Sequence, residues 1–426
     1  MSGENGPAGA GGRRGPGLLA LIGPGVLVAA TGVGAGDLAT AGFAGSKLGL
    51  AVAWAVVVGA AVKLVLNENL ARFQLATGQT ILTGALKRLG AWIAIPFGVY
   101  LLAWSWFVGL ALISACGVTA HALVPVFDDA STGRAVWGGG LSLVAVAMVL
   151  AGGFRWFERI MATCIAVMFA VVLATAIVSR PDLGELARGL TMPLVPDSEG
   201  AFGWTLALLG GVGGTLTVIC YGYWMRQAGR DGSGAEGLRA CRLDLTVGYS
   251  MTALFGIGML VIASGIEVDG RGAGLITTLA GELGDRIGVW ARWVFLIGAF
   301  GAVFSSLLGV WQSVPFVYCE LLGRLKHSGT DALRSVERSG LYRVVLALLA
   351  TVPMTGLFVS FKTAQQWYGI AGALFIPMLG LALLLLNVRK ELGPMRNRAV
   401  GTGLLVLVLT MCAGLAFFEI RRRLAS

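Results

Sequence analysis

Apolar runs long enough to cross a lipid bilayer recur along almost the whole of this 426-residue chain. A helix rises about 1.5 Å per residue, so about 20 apolar residues traverse a hydrocarbon core roughly 30 Å thick. Within lipid every backbone polar group must be satisfied inside the protein, which leaves helical bundles and closed barrels. A barrel strand alternates in polarity, whereas these runs are continuous. The sequence therefore predicts an all-α polytopic membrane protein. Eleven spans are expected, at 18–45, 49–75, 92–118, 136–153, 157–179, 202–226, 243–266, 290–322, 341–361, 366–388 and 399–420. The connections near 180–200, 226–242, 266–290 and 323–340 carry turn formers and charges and read as water-exposed loops. Only 13% of residues are charged, about half the share of a soluble domain.

The formal charge of +10 reflects topology rather than nucleic-acid binding, because no basic cluster is interleaved with exposed aromatics. With a cytoplasmic N-terminus, twenty basic residues fall in inner segments and eleven in outer ones, the asymmetry that orients inner-membrane proteins. Arg421, Arg422 and Arg423 dissent, since eleven spans put them outside. The Gly-rich residues 1–16 are expected to form a cytoplasmic tail without a cleavable signal. Residues 17–426 would form one transporter domain, with repeats at about 18–180 and 200–390 and an extra helix at 399–420. Six dispersed cysteines and two histidines, His121 and His327, indicate no disulfide framework, zinc site or histidine-rich centre. No Ser/His/Asp or Cys/His arrangement suggests an enzyme, and no strand precedes either glycine cluster to make a nucleotide fingerprint.

Those glycine clusters are the most informative local feature. The first span contains TGVGAGDLAT, residues 31–40, and the sixth LLGGVGGTLTV, residues 208–218. Glycine lowers the cost of non-helical backbone, which survives at membrane depth only where it lines a cavity or is buried in protein. Close packing of helices through small residues is the structural alternative. Interruptions five spans apart are what an inverted repeat of five plus five helices would place face to face at the membrane midplane. Both spans are therefore expected to unwind, near 34–37 and 212–217.

Several segments resemble the Nramp family (natural resistance-associated macrophage proteins), metal-ion transporters with a LeuT-like fold. GPGVLVAATGVGAGDLATAGFAG, residues 23–45, is similar to the family's first helix; NLARFQLATGQTILTG, residues 69–84, to the end of its second. VFSSLLGVWQSVPFVYCELL, residues 303–322, is similar to the eighth. The resemblance covers about 20–420 and implies secondary transport of a divalent cation, with no resident cofactor. The departures fall in the site. The family's Asp-Pro-Gly-Asn reads Gly34-Ala35-Gly36-Asp37, and Thr217 stands where the family has a metal-binding methionine. Val218 and Ile219 replace its proline and histidine, and AWSWFVGLALISA, residues 103–115, lacks the carboxylates of its proton route.

Asp37 is the only acidic residue of the first span, and an intramembrane carboxylate is a functional candidate by default, with helix capping as the alternative. Asp37, Thr217 and carbonyls at Gly34 and Gly214 compose the expected cation site. Oxygen donors without a thioether favour hard ions, Mg²⁺ or Mn²⁺, over thiophilic ones. Tyr221, Tyr223, Lys63, Glu68 and Gln365 are candidates for a gate or a surrounding shell. Lys63–Asn67 and Glu68–Arg72 share the i,i+4 spacing of a helix-face pair, and Lys63, deeper in its span, is also a candidate for a built-in cation standing in for a coupling proton. Ser305, Ser306, Gln312 and Glu320 read as interhelical hydrogen-bonding residues, and the tryptophans as belt or packing residues. A monomer in the plasma (inner) membrane is expected. A LeuT-fold transporter of a small anion or zwitterion remains the competing reading, with a non-transporting sensor behind it.

Overall fold

The computed structural model describes residues 23–152, 154–230, 234–266, 272, 274–323 and 330–425; the expected tail at 1–16 lies outside them. Among the described residues there is no strand. The α-helices run in order α1 (Gly23–Gly32), α2 (Ala41–Leu48), α3 (Ala53–Thr77), α4 (Ile81–Arg88), α5 (Ala94–Leu123) and α6 (Ala130–Ala151). There follow α7 (Phe154–Val178), α8 (Leu183–Thr191), α9 (Ala201–Gly211), α10 (Tyr221–Gln227), α11 (Gly234–Ala263) and α12 (Leu275–Ile287). The last are α13 (Val289–Leu321), α14 (Thr330–Glu337), α15 (Gly340–Thr351), α16 (Phe361–Asn387) and α17 (Ala399–Ala425).

Among the described residues nine helical stretches are long and apolar enough to span, or ten if α14 and α15, bent by 60°, count together. One of the nine, Gly36–Thr77, has 42 residues, about twice what one crossing takes. It divides at Gly49, where φ is 61° and the α-helix gives way to a 3₁₀ turn, Gly49–Val52. The end of the first expected span and nearly all of the second lie in that stretch, so counting it as two, with α14 and α15 as one, gives eleven passes. Three expected loops carry helices instead: α8, α12 and α14 occupy parts of 180–200, 266–290 and 323–340. Each is too short to span. Asp182 caps α8 by accepting the Gly184 and Glu185 N–H groups at 2.7 and 3.1 Å. α12 buries Leu275, Ile276, Leu279, Ala280 and Leu283, an amphipathic face at helical spacing.

The two glycine clusters behave differently. The sixth span is broken as expected: α9 ends at Gly211, Gly213 and Gly214 take φ of +73° and +90°, and a 3₁₀ turn (Leu216–Cys220) leads into α10. The first span is not unwound, which corrects the expectation. α1 passes into a π-helical stretch, Val33–Thr40, and on into α2, with Gly32 and Ala41 both right-handed helical. Ala35 stands where the resembling family has proline. A proline would remove a backbone donor and break the ladder, but Ala35 keeps its N–H and the turn only widens.

The two spans meet backbone to backbone in the bundle interior. A Cβ on Gly36 would come within 2.1 Å of the Gly211 carbonyl oxygen, and one on Gly32 within 2.7 Å of the Gly214 nitrogen. Only glycine permits this approach.

Candidate functional site

Asp37 lies in the π-helical stretch, fully buried. Its Oδ1 accepts the Gly213 N–H at 3.0 Å, so the first span's carboxylate holds the break of the sixth. Its Oδ2 is buried with no hydrogen-bond partner among the described residues. A buried carboxylate oxygen without a partner is costly unless something pairs with it.

Lys63 of α3 enters the same break from the other side. Its side chain is 1% exposed. The ammonium donates to the carbonyls of Gly210 at 2.8 Å, Leu209 at 3.2 Å, and Val212. These oxygens belong to the end of α9 and the residue after it, where helical carbonyls lack successors to pair with. An ammonium has three donors, and this one spends all three on a half-helix terminus that carries partial negative charge.

Around this pair the polar groups are paired across helices. Trp104 of α5 donates from Nε1 to the Thr215 Oγ1 at 2.7 Å, and Asn67 of α3 donates to the Tyr249 hydroxyl oxygen at 2.8 Å. Behind the π-stretch, Ser306 of α13 accepts the Gly34 N–H at 2.8 Å and donates to the Ala30 carbonyl at 2.9 Å. Among the described residues no three His, Cys, Asp or Glu side chains converge as metal ligands. An ion here would meet one carboxylate and neutral oxygens, with the Lys63 ammonium on the other side of the break.

The expected residues divide into those at the break and those elsewhere. Asp37, Gly214 and Thr217 lie at the interruption: the position of a Cβ on Gly214 is 2.7 Å from Thr217 Oγ1 and 4.0 Å from Gly32 Cα. Gly34 faces away, toward Ser306 and Val303 of α13. Lys63 joins the break rather than pairing with Asn67. Glu68 pairs with Arg72 at 2.6 Å and Arg242 at 2.8 Å, outside the break. The Tyr221 hydroxyl donates to Asp244 Oδ2 at 3.0 Å, and that of Tyr223 to Glu320 Oε2 at 2.5 Å. Gln365 donates to the Ala111 carbonyl at 3.0 Å and leaves its Oε1 buried without a partner.

A family model described as natural resistance-associated macrophage protein-like matches residues 25–420. The chain belongs to the Nramp family. A relative of this Nramp chain, the divalent metal cation transporter MntH of Chromohalobacter salexigens, is 24% identical over 260 residues. The match spans 58% of this chain and 57% of that protein, little more than half of the relative's length. Among solved structures, the Eremococcus coleocola manganese transporter aligns with a TM-score of 0.71 at 17% identity, covering 98% of this chain and 89% of that one. MhsT in complex with L-phenylalanine aligns at 0.59 with 15% identity, covering 94% and 97%. At such identities the likeness is of fold: the LeuT-like inverted repeat of five plus five helices. The first two of these proteins are named as transporters, not enzymes.

Two buried polar contacts of this Nramp chain, one beside the break and one away from it, were not singled out from the sequence. Asp244 accepts the Gly25 N–H at 2.9 Å, the Tyr221 hydroxyl, and Arg230 at 3.0 Å, tying the start of α1 to α10 and α11. It was findable as the lone acidic residue of the seventh span. Trp104 read as packing; nothing in its neighbourhood signalled that its indole N–H reaches the break.

Proposed function

We propose that this Nramp chain is a secondary transporter that moves a divalent cation, prefers a hard ion such as Mg²⁺ or Mn²⁺, and needs no coupled proton. The observation that carries the reading is the Asp37 carboxylate, anchored through Oδ1 on the broken sixth span and unpartnered at Oδ2. A dication crossing a low-dielectric interior requires negative charge close by. Asp37 supplies it, and Thr217 and the carbonyls beside Gly214 add neutral oxygen. One carboxylate and few neutral ligands suit an ion that keeps part of its water shell, as Mg²⁺ does. Thr217 in place of a methionine removes the soft donor that favours thiophilic ions.

Lys63 supports the absence of an obligatory proton. The empty site must return across the membrane without a substrate cation, and the Lys63 ammonium already places one positive charge at the break. Among the described residues no histidine lies there: His121 packs against Gly133 near the far end of α5, and His327 is not among them. We further propose a monomer in the plasma (inner) membrane, with its N-terminus placed in the cytoplasm on the strength of the basic-residue asymmetry.

Lys63 also motivates the competing reading, a small anion or zwitterion held by the ammonium. Against it, all three ammonium donors are committed to carbonyls. The deciding experiment is uptake into liposomes of purified protein, with Mg²⁺, Mn²⁺ and Cd²⁺ offered separately. Uptake of the hard ions is expected, with Asp37→Asn lowering it on the order of tenfold or more through loss of the charge, and with size-exclusion behaviour unchanged. Divalent ions that neither bind nor move in the parent protein would turn the choice to the non-metal substrate.

A further inference from the structure

Away from the break, at the end of α3 where Glu68 and Arg72 lie, a cleft of about 510 Å³ opens between α3, α11, the turn before α17, and α17 itself. Its polar end gathers four arginines, Arg72, Arg242, Arg396 and Arg398, around a single carboxylate, Glu68. Glu68 is already shared: Arg72 and Arg242 both donate to its Oε1. Arg72 also donates to the Met395 carbonyl, and its Nε is buried without a partner. Arg396 and Arg398 are exposed and have no ion pair or side-chain hydrogen bond among the described residues. The other acidic residue nearby, Glu391, is drawn off by Arg88 at 3.0 Å. The cleft thus carries about three uncompensated positive charges. Val400 and Gly401 of the first turn of α17 also line it, adding the positive end of a 27-residue helix.

The remaining wall is apolar. Leu64 and Val65 of α3 face Val400 and Leu404 of α17 across the cleft, and Val400 is 76% exposed. A free phosphate would have no use for that wall. A phospholipid would: its phosphate would meet the guanidiniums and its acyl chains would lie along the leucines and valines, at the boundary between span and loop where headgroups reside. We propose that this cleft is a binding site for an anionic phospholipid, distinct from the cation site and independent of what that site carries.

The test uses the full chain in detergent. Thermal unfolding and native mass spectrometry are followed as phosphatidylglycerol, phosphatidylcholine or inorganic phosphate is added, for the parent and for Arg396→Gln/Arg398→Gln. Both substituted side chains are exposed, so the variant is expected to fold. Phosphatidylglycerol should stabilise the parent and be retained by it, phosphatidylcholine much less, and phosphate not at all. The double variant should bind phosphatidylglycerol about thirtyfold more weakly, from about fivefold for each of the two basic residues lost near an anionic headgroup. Equal stabilisation by the two lipids, or an unchanged affinity in the variant, would overturn the site. Stabilisation by inorganic phosphate alone would overturn the lipid and leave a small-anion pocket.

Discussion

Asp37 and Lys63 grip opposite edges of one peptide group. The Asp37 carboxylate accepts the N–H of Gly213, and the Lys63 ammonium donates to the carbonyl of Val212, the other half of the same planar unit. The peptide dipole is aligned with both charges, positive edge to the carboxylate and negative edge to the ammonium. Two charges from different helices thus pin the point where the sixth span leaves helical geometry and Gly213 turns to φ +73°. The break is held by electrostatics as well as permitted by glycine.

Lys63→Met should therefore destabilise the protein well beyond a surface change. It leaves Asp37 uncompensated and strips the donor from three carbonyls, and removing one partner of a buried charge pair costs about 3–5 kcal/mol. Asp37→Asn/Lys63→Met should recover part of that loss, because neither charge is then stranded. Thermal unfolding of the parent, both single variants and the double variant closes the cycle. Strictly additive effects would mean that the two charges do not act together.

Thr217→Met places a thioether beside Gly214 and should raise the ratio of Cd²⁺ to Mg²⁺ uptake on the order of tenfold. Thr217 is only 5% exposed, so the longer side chain is expected to cost about 1–3 kcal/mol through overpacking. Uptake is best compared as a ratio within each protein. A ratio equal to the parent's would remove Thr217 from the site.

Transport should proceed without stoichiometric proton movement. In liposomes loaded with a pH indicator, Mn²⁺ uptake is expected to leave the internal pH unchanged at neutral pH. Acidification that tracks uptake and disappears without substrate would show that a titrating group does couple, and Lys63 would be the first to substitute.

Asp244→Ala should loosen the junction of α1, α10 and α11. It removes the acceptor of the Gly25 N–H and of the Tyr221 hydroxyl and separates the pair with Arg230. A loss of about 3 kcal/mol is expected, at the low end for a buried pair because the Arg230 side chain keeps 11% of its exposure. The Asp244→Asn change retains an acceptor and should lose less. If both variants unfold at the parent's temperature, the junction is held by packing alone.

Much of the bundle was legible in the sequence, because membrane spans are set by the length and apolarity of contiguous residues. The short helices α8, α12 and α14 escaped notice for the complementary reason: 9, 13 and 8 residues with interspersed charges resemble loops until a neighbour buries their apolar face. Glycine content alone could not distinguish the two interruptions. TGVGAGD remains helical as a π-stretch while GGVGG breaks, since glycine permits both outcomes and the partners decide between them. The pair Glu68–Arg72 was readable from its i,i+4 spacing. The partners of Lys63, 146 to 149 residues away, were not.

The sequence by itself determined a helical membrane protein of about eleven spans, the glycine-rich segments of the first and sixth, and Asp37 as the lone carboxylate of the first. These depend on composition and local spacing, which the bilayer reads directly through hydrophobic burial and obligatory backbone hydrogen bonding. Only the tertiary structure decided that the Asp37 carboxylate is half anchored and half unpartnered, that Lys63 reaches the same peptide from its other edge, and that Gly34 turns toward Ser306. Those outcomes follow from contacts between helices far apart in the chain. A buried charge takes whatever partner the fold brings within reach, and no local pattern specifies which partner that is.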